Sequence, residues 1–152
     1  MHASYLKKVN NPFLYRLFLL KKLPIAWISG LKVVAVSREK ARISIRYGFL
    51  NQNPFKSMYF ACQAMAAEMS TGILALGYID AHPEEVSMLV LDLKSIYTKK
   101  AVGKIEFACE DGIKVKEAIE KAISTGEAVS CLMDSKGYDQ QGDTVSSFQV
   151  NW

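Results

Sequence analysis

Residues 57–77 read SMYFACQAMAAEMSTGILALG, an almost unbroken apolar stretch that is rich in alanine and methionine. Both residues favour helix, and the stretch has no polar face on which a surface helix could meet water. Its one charged group is the carboxylate of Glu68. A helix that is apolar all round is buried, and this one is about 30 Å long. So short a chain cannot cover it with a couple of helices, so strands must enclose it.

The flanking sequence predicts those strands. Ala41, Ile43, Ile45 and Tyr47 alternate with polar residues, the period of two of a half-buried strand, and Leu31–Val36 is its hairpin partner. Further strands are predicted at residues 86–98, 102–109, 128–133 and 145–152, with a polar loop at 134–143 and a surface helix at 111–124. The order predicts an α+β fold with about six strands around one central helix.

Composition narrows the class of protein. The 152 residues fit a single domain, 1–152, with half of the residues apolar and a net charge of +4. That charge is too small to indicate a nucleic-acid partner. The three cysteines form no C-x-x-C pair and lie among apolar neighbours, which predicts reduced thiols in a cytoplasmic protein. With only two histidines, neither a metal nor a cofactor is expected.

The N-terminal segment, residues 1–28, contains a predicted helix from Phe13 to Lys22 that begins at Asn11-Pro12 and stops before Pro24. Arg16, Lys21 and Lys22 interrupt its apolar run, so it is not a transmembrane span. We expect it to pack on the domain, and its basic residues leave contact with a membrane surface as an alternative.

The loop before the central helix carries a motif. Asn53 is followed six residues later by Tyr59, and Glu68 comes nine residues after that. This spacing resembles the hotdog-fold acyl-CoA thioesterases of the phenylacetate type, in which an Asn precedes a His-Gly-Gly turn and a helix carboxylate. A sister family with Tyr in place of the His is more similar. It shares the Ala-Val-Gly step at 101–103, an Asp-x-x-Gly turn at 134–137 and the terminal Trp152.

The resemblance implies a hotdog fold and hydrolysis of an acyl thioester such as acyl-CoA, in a homodimer or a dimer of dimers. By position, Glu68 is the carboxylate that activates water or attacks directly. Ala61 supplies the backbone N–H for the oxyanion, Asn53 orients water or the thioester, and Tyr59 donates its hydroxyl. The expected substrate-binding residues are Phe60, Tyr97, Lys99 and Lys100. The charges of the two lysines suit the phosphates of coenzyme A, and a solvated hairpin end is the alternative for them.

Each assignment has a structural alternative. Glu68 could pair with an Arg or Tyr at a dimer interface, Asn53 could be a turn residue, and Tyr59 could belong to the core. Ser57 is expected to cap the helix, because no histidine lies nearby in sequence to activate it as a nucleophile. Phe60 and Ala61 replace the two glycines of the turn, which leaves a non-catalytic acyl-binding protein as the second hypothesis. A dimeric scaffold that associates with a membrane surface or a partner is the third.

Overall fold

The long apolar helix lies at the centre of the computed structural model, which describes residues 1–152. It packs against four strands of a six-stranded antiparallel sheet, which confirms the predicted α+β hotdog architecture. The helices are α1 (Ala3–Val9), α2 (Pro12–Lys22), α3 (Pro24–Ile28), α4 (Phe60–Ile79) and α5 (Gly112–Thr125). The strands are β1 (Lys32–Val36), β2 (Ala41–Arg46), β3 (Asp92–Tyr97), β4 (Lys104–Cys109), β5 (Leu132–Tyr138) and β6 (Thr144–Asn151), in the spatial order β1-β2-β4-β5-β6-β3.

Alternating burial in the sheet follows the alternating sequence. In β4 the side chains of Ile105, Phe107 and Cys109 are fully buried against α4, while their neighbours face outward. The surface helix α5 buries Val115 and Ile119 and begins at Gly112, whose N–H donates to the carbonyl of Glu39 at 2.8 Å. A β-carbon at position 112 would lie 2.6 Å from the carbonyl carbon of Glu39, so only glycine lets α5 approach the β1–β2 turn this closely.

Two strands differ from the sequence prediction. The fifth strand is not 128–133 but Leu132–Tyr138, so the predicted Asp-x-x-Gly turn at 134–137 lies inside it. The predicted strand 86–98 is regular only at Asp92–Tyr97. The helix α4 starts at Phe60 rather than Ser57, and its N-cap residue Tyr59 makes no side-chain cap.

The N-terminal segment forms three short helices rather than one. Asn11 caps α2 by accepting hydrogen bonds from the N–H groups of Phe13 and Leu14, each at 3.1 Å. Tyr5 of α1 donates its hydroxyl to the carbonyl of Ile73 at 2.8 Å, and its ring lies over Gly77 of α4. None of the helices combines the length and apolar character that crossing a membrane would require.

The two edges of the sheet differ. At the β1 edge the side chain of Asn10 accepts from the N–H of Val36 and donates to its carbonyl, both at 2.8 Å, as a neighbouring strand would. At the other edge β3 pairs only with β6, and all six of its residues are exposed. An exposed edge of this kind is a template for pairing with another chain.

Candidate functional site

A groove of about 790 Å³ lies at the N-terminus of α4 and contains six of the eight predicted site residues. These are Asn53, Tyr59, Phe60, Tyr97, Lys99 and Lys100. Its remaining walls come from Gln52, Pro54, Phe55, Ser57, Met58, Gln63, Thr98 and Ala101. The structure therefore brings the loop before α4 and the end of β3 together. Glu68 and Ala61 do not line this groove.

One wall of the groove is aromatic. The rings of Tyr59 and Phe60 lie 4.9 Å apart, and those of Phe60 and Tyr97 lie 6.4 Å apart, both edge to face. Tyr97 packs in turn on the buried ring of Phe148 at 5.7 Å. Phe60 remains 53% exposed, so Tyr59, Phe60 and Tyr97 form an apolar surface open to a ligand rather than part of the core.

Asn53 organises the loop that forms the floor of the groove. Its side-chain oxygen accepts from the N–H of Phe55 at 2.9 Å and from the N–H of Ser57 at 3.3 Å. Its NH₂ group donates to the hydroxyl of Ser57 at 3.1 Å and to the carbonyl of Met58 at 3.4 Å. Ser57, expected to cap α4, is instead one partner in this network. Both ends of the Asn53 amide thus shape the turn.

The N-terminus of α4 opens beside the groove. The N–H of Tyr59 donates to the carbonyl of Asn51, but the N–H groups of Phe60 and Ala61 have no acceptor within the chain. Unpaired N–H groups at the start of a long helix carry a partial positive charge and favour an anion. This end of α4 can therefore stabilise negative charge on a carbonyl oxygen.

Gln63 is a buried polar residue of the groove that the sequence did not single out. Its side-chain oxygen accepts from the hydroxyl of Ser146 at 2.9 Å, and its NH₂ donates to the carbonyl of Met58 at 3.4 Å. Like Glu68, Gln63 is a polar residue on an otherwise apolar helix, and this is the signal for it in the sequence. The Ser146 partner, 83 residues away, could not be seen.

The two predicted phosphate-binding lysines are already engaged. The ammonium of Lys99 lies 2.6 Å from a carboxylate oxygen of Asp139 and 2.8 Å from one of Asp143. These hydrogen bonds raise the pKa of Lys99. Lys100 donates to the carbonyl of Phe55 at 3.1 Å and has no carboxylate partner. Lys100 is thus the groove cation with an uncompensated charge.

Glu68 lies elsewhere, in a cluster with Thr71, Gly72 and Trp152 that we call the Glu68 cluster. The indole N–H of Trp152 donates to the Thr71 hydroxyl at 2.9 Å, and that hydroxyl donates to the backbone carbonyl of Glu68 at 2.8 Å. A β-carbon at position 72 would lie 3.1 Å from the Trp152 ring and 3.3 Å from Oε1 of Glu68. Gly72 therefore leaves the space that the carboxylate and the indole occupy.

Burial alone raises the pKa of Glu68, because no hydrogen bond and no charged neighbour offsets the loss of water around its carboxylate. Burial, and then the negative charge of Glu68, raise the pKa of Tyr15 on α2, so this phenol is a second titratable group near the carboxylate. The structure provides no Arg partner for Glu68 within the chain. A half-buried carboxylate without a partner is typical of a general base.

Glu68 and Ala61 are seven residues apart on α4, which separates them by roughly 10 Å along the helix axis. A nucleophile and an oxyanion donor must both lie about 3 Å from the reacting atom, and a base that acts through water lies one water molecule farther away. The axial separation of Glu68 and Ala61 is therefore long for a site within one chain.

A second groove of about 730 Å³ extends from Trp152 along the C-terminal half of α4. It lies between α4, α5 and the irregular segments 84–91 and 126–131, and most of its lining residues are apolar. Such a surface suits a hydrocarbon chain. No group of three or more His, Cys, Asp or Glu side chains is placed to hold a metal ion.

Solved structures share this architecture. A Pseudomonas aeruginosa protein of unknown function, named as a probable thioesterase, is 21% identical with a TM-score of 0.74, over 92% of this chain and 93% of that one. A Haemophilus influenzae thioesterase is 10% identical with a TM-score of 0.63, over 89% and 85%. The E. coli PaaI protein from the phenylacetic acid degradation operon is 10% identical with a TM-score of 0.64, over 97% and 94%. No protein-family model and no curated protein matches the sequence.

Proposed function

We propose that this chain is a thioesterase-like hydrolase that cleaves an acyl thioester, such as an acyl-CoA, in the cytoplasm. The observation that carries the proposal is Glu68, a half-buried carboxylate with a raised pKa and no partner within the chain. The likeness to solved thioesterases supports the fold on which such a site is built. The three cysteines are free and buried, as in proteins of a reducing compartment.

In the proposed reaction Glu68 removes a proton from a water molecule that attacks the thioester carbonyl carbon. The oxyanion that forms accepts a hydrogen bond from the free N–H of Ala61 at the start of α4. When the carbonyl re-forms, the carbon–sulfur bond breaks and the proton held by Glu68 passes to the departing thiolate. Tyr59, Phe60 and Tyr97 contact the pantetheine arm, Lys100 is placed toward the phosphates of coenzyme A, and the acyl chain extends past Trp152.

We place the proposed site between two protomers, with Glu68 of one protomer facing Ala61 of the partner subunit, because roughly 10 Å along α4 separates the two residues within one chain. The exposed edge of β3 supports this arrangement, because two copies of an antiparallel strand can pair across a two-fold axis. The exposed side chains of Leu93 and Ile96 lie on that strand. We expect Ile96→Lys to give a monomer without activity, measured by light scattering and an acyl-CoA assay. The matched control Ile113→Lys on α5 should remain an active dimer.

The decisive experiment is hydrolysis of a panel of acyl-CoAs of increasing chain length by the wild type and by Glu68→Gln. We expect kcat/KM to fall by about 100-fold or more in the variant, the usual contribution of a general base. The exposed Glu117 on α5 provides the control, since Glu117→Gln should leave the rate unchanged. Turnover that survives Glu68→Gln would exclude Glu68 as the base.

A non-catalytic acyl-CoA-binding protein is the second candidate, and Phe60 favours it. Its ring stands in the groove between Tyr59 and Tyr97, at a position where the resembled enzymes have glycine. Saturable binding of an acyl-CoA in isothermal titration, with no hydrolysis at any chain length, would support this candidate over the enzyme.

A further inference from the structure

The outer face of α2 is apolar, although it points away from the domain. Tyr15 and Leu19 are buried beneath the helix, and every other residue from Pro12 to Leu23 is exposed. At 3.6 residues per turn, Leu17 lies opposite the buried pair, with other apolar residues on both sides across roughly 160° of arc. The exposed apolar residues from α2 through α3 are Phe13, Leu14, Leu17, Phe18, Leu20, Leu23, Ile25 and Ile28.

This surface, which we call the N-terminal face, holds a disproportionate share of the exposed apolar side chains. Eight of the 23 large exposed apolar residues lie within the 16 residues from Phe13 to Ile28. The others concentrate at the loop before α4 and along residues 89–97, beside the proposed site and the open strand edge. The N-terminal face is attached instead to β1, at the opposite edge of the sheet. A ligand in the proposed site or a copy paired at β3 would therefore leave the N-terminal face uncovered.

Basic residues surround the apolar arc. On the helical projection Arg16 and Lys22 lie at its two margins, and Lys21 lies in the last turn, where a long side chain can extend past apolar neighbours. Residues 1–38 contain seven lysines and arginines and no acidic residue, while the rest of the chain carries a net charge of −3. The segment that carries the N-terminal face is thus the basic part of the chain.

The charge of the N-terminal face favours an anionic bilayer over a second copy of this chain as its partner. In a symmetric contact between two copies the same patch meets itself, so the cations of one N-terminal face would oppose those of the other. An anionic bilayer surface supplies both complements, with phosphate charge for the basic residues and acyl chains for the apolar arc. Trp27 on α3 adds an aromatic group of the kind enriched at membrane interfaces, with Arg16 over its ring at 5.1 Å.

We propose that the N-terminal face docks this protein on the surface of a bilayer that contains anionic lipid, with α2 lying in the plane of the interface. The inference rests on the exposure and charge of residues 1–28 and holds whether or not Glu68 is catalytic.

The test is co-sedimentation of the full chain with phosphatidylcholine vesicles prepared with and without phosphatidylglycerol. We expect binding only to the anionic vesicles, weakening as salt is added. Lys21→Glu/Lys22→Glu should weaken binding by at least about 25-fold, since each lost basic side chain contributes about fivefold and the two new carboxylates are repelled by the surface. Phe13→Ser/Leu17→Ser should weaken it by about tenfold or more, because these side chains would leave the acyl region.

Matched controls keep the outcome specific. Ile113→Ser on α5 removes an exposed apolar residue elsewhere, and Lys121→Glu/Lys136→Glu reverses two exposed charges outside the face. Both should bind as the wild type does, and circular dichroism checks that every variant is folded. Absence of binding to anionic vesicles, or binding that the α2 variants leave intact, overturns the proposal. A folded α2 variant whose oligomeric state differs from that of the wild type in light scattering also overturns it, because the face would then be an interface between copies.

Discussion

We predict that Glu68→Gln raises the free energy of unfolding near pH 7 by about 1 kcal/mol, the size of gain common when a functional group is replaced. The reason is the unpaired state of the carboxylate in the Glu68 cluster, where burial is the only influence on its pKa. Full burial of an unpaired charge would cost several kcal/mol. Glu68 is only half-buried and keeps some access to water, so only a fraction of that cost applies to its carboxylate. Glutamine has the same shape without the charge and avoids it.

The gain should depend on pH in a defined direction. The pKa of Glu68 is higher in the folded chain than in the unfolded one, so the folded state holds the proton more tightly. As the pH rises through about 4.3, the usual pKa of a glutamate, the unfolded chain ionises first and unfolding becomes easier. The wild type therefore loses stability as the pH rises from about 4.3 toward the higher pKa of folded Glu68. The variant has no carboxylate at this position and does not show this loss. The two proteins should converge below about pH 4.

Urea unfolding followed by circular dichroism, at several pH values from about 4 to 7, measures this difference. Glu117→Gln, which removes an exposed carboxylate from α5, should leave the stability unchanged at every pH. A Glu68→Gln variant that is less stable than the wild type near pH 7 would refute the reasoning. That result would show a carboxylate that supports the fold or a dimer interface, the structural alternative for this residue.

Three further substitutions test how the structure is held together. Gly112→Ala should lower the free energy of unfolding in urea by about 2 kcal/mol, because a β-carbon would meet the backbone of Arg38 and Glu39. The control Gly48→Ala should leave it almost unchanged, because the space around Gly48 is open. Asn10→Ala should cost about 1–2 kcal/mol, since it removes both hydrogen bonds to Val36, and an unchanged urea midpoint would contradict this. Trp152→Phe should cost about 1 kcal/mol by removing the hydrogen bond to Thr71, and a variant as stable as the wild type would refute this.

Hydrophobic patterning was enough to predict the helix α4 and the β1–β2 hairpin. It failed at β5, where the inward residues include Ser135 and Gly137. Ser135 is hydrogen-bonded to Ser70 at 2.8 Å, and Gly137 leaves room for the ring of Phe107. Small and polar residues on the inner face removed the apolar alternation that marks a strand. The apolar residues at 128–131 attracted the prediction instead, although they line the groove beside α5.

The groove at the start of α4 was predictable because Asn53, Tyr59 and Phe60 are close in sequence and the turn before α4 fixes their positions. The surroundings of Glu68 were not, because Tyr15 and Trp152 come from opposite ends of the chain. The same holds for Lys99, whose two aspartate partners lie 40 and 44 residues away. Sequence spacing indicates which residues share an element, whereas charge neutralisation depends on contacts between elements.

The side chain of Asn10, which occupies the backbone groups of Val36, has a consequence for how copies of this chain can assemble. A sheet with two free edges can add copies at both ends and grow without limit into a fibre. Here the N–H and the carbonyl of Val36, the last residue of β1, are already hydrogen-bonded within the chain, whereas β3 is open along its whole outer side. Pairing between copies is therefore favoured through β3, and growth of the sheet at the β1 edge is hindered at the end of that strand.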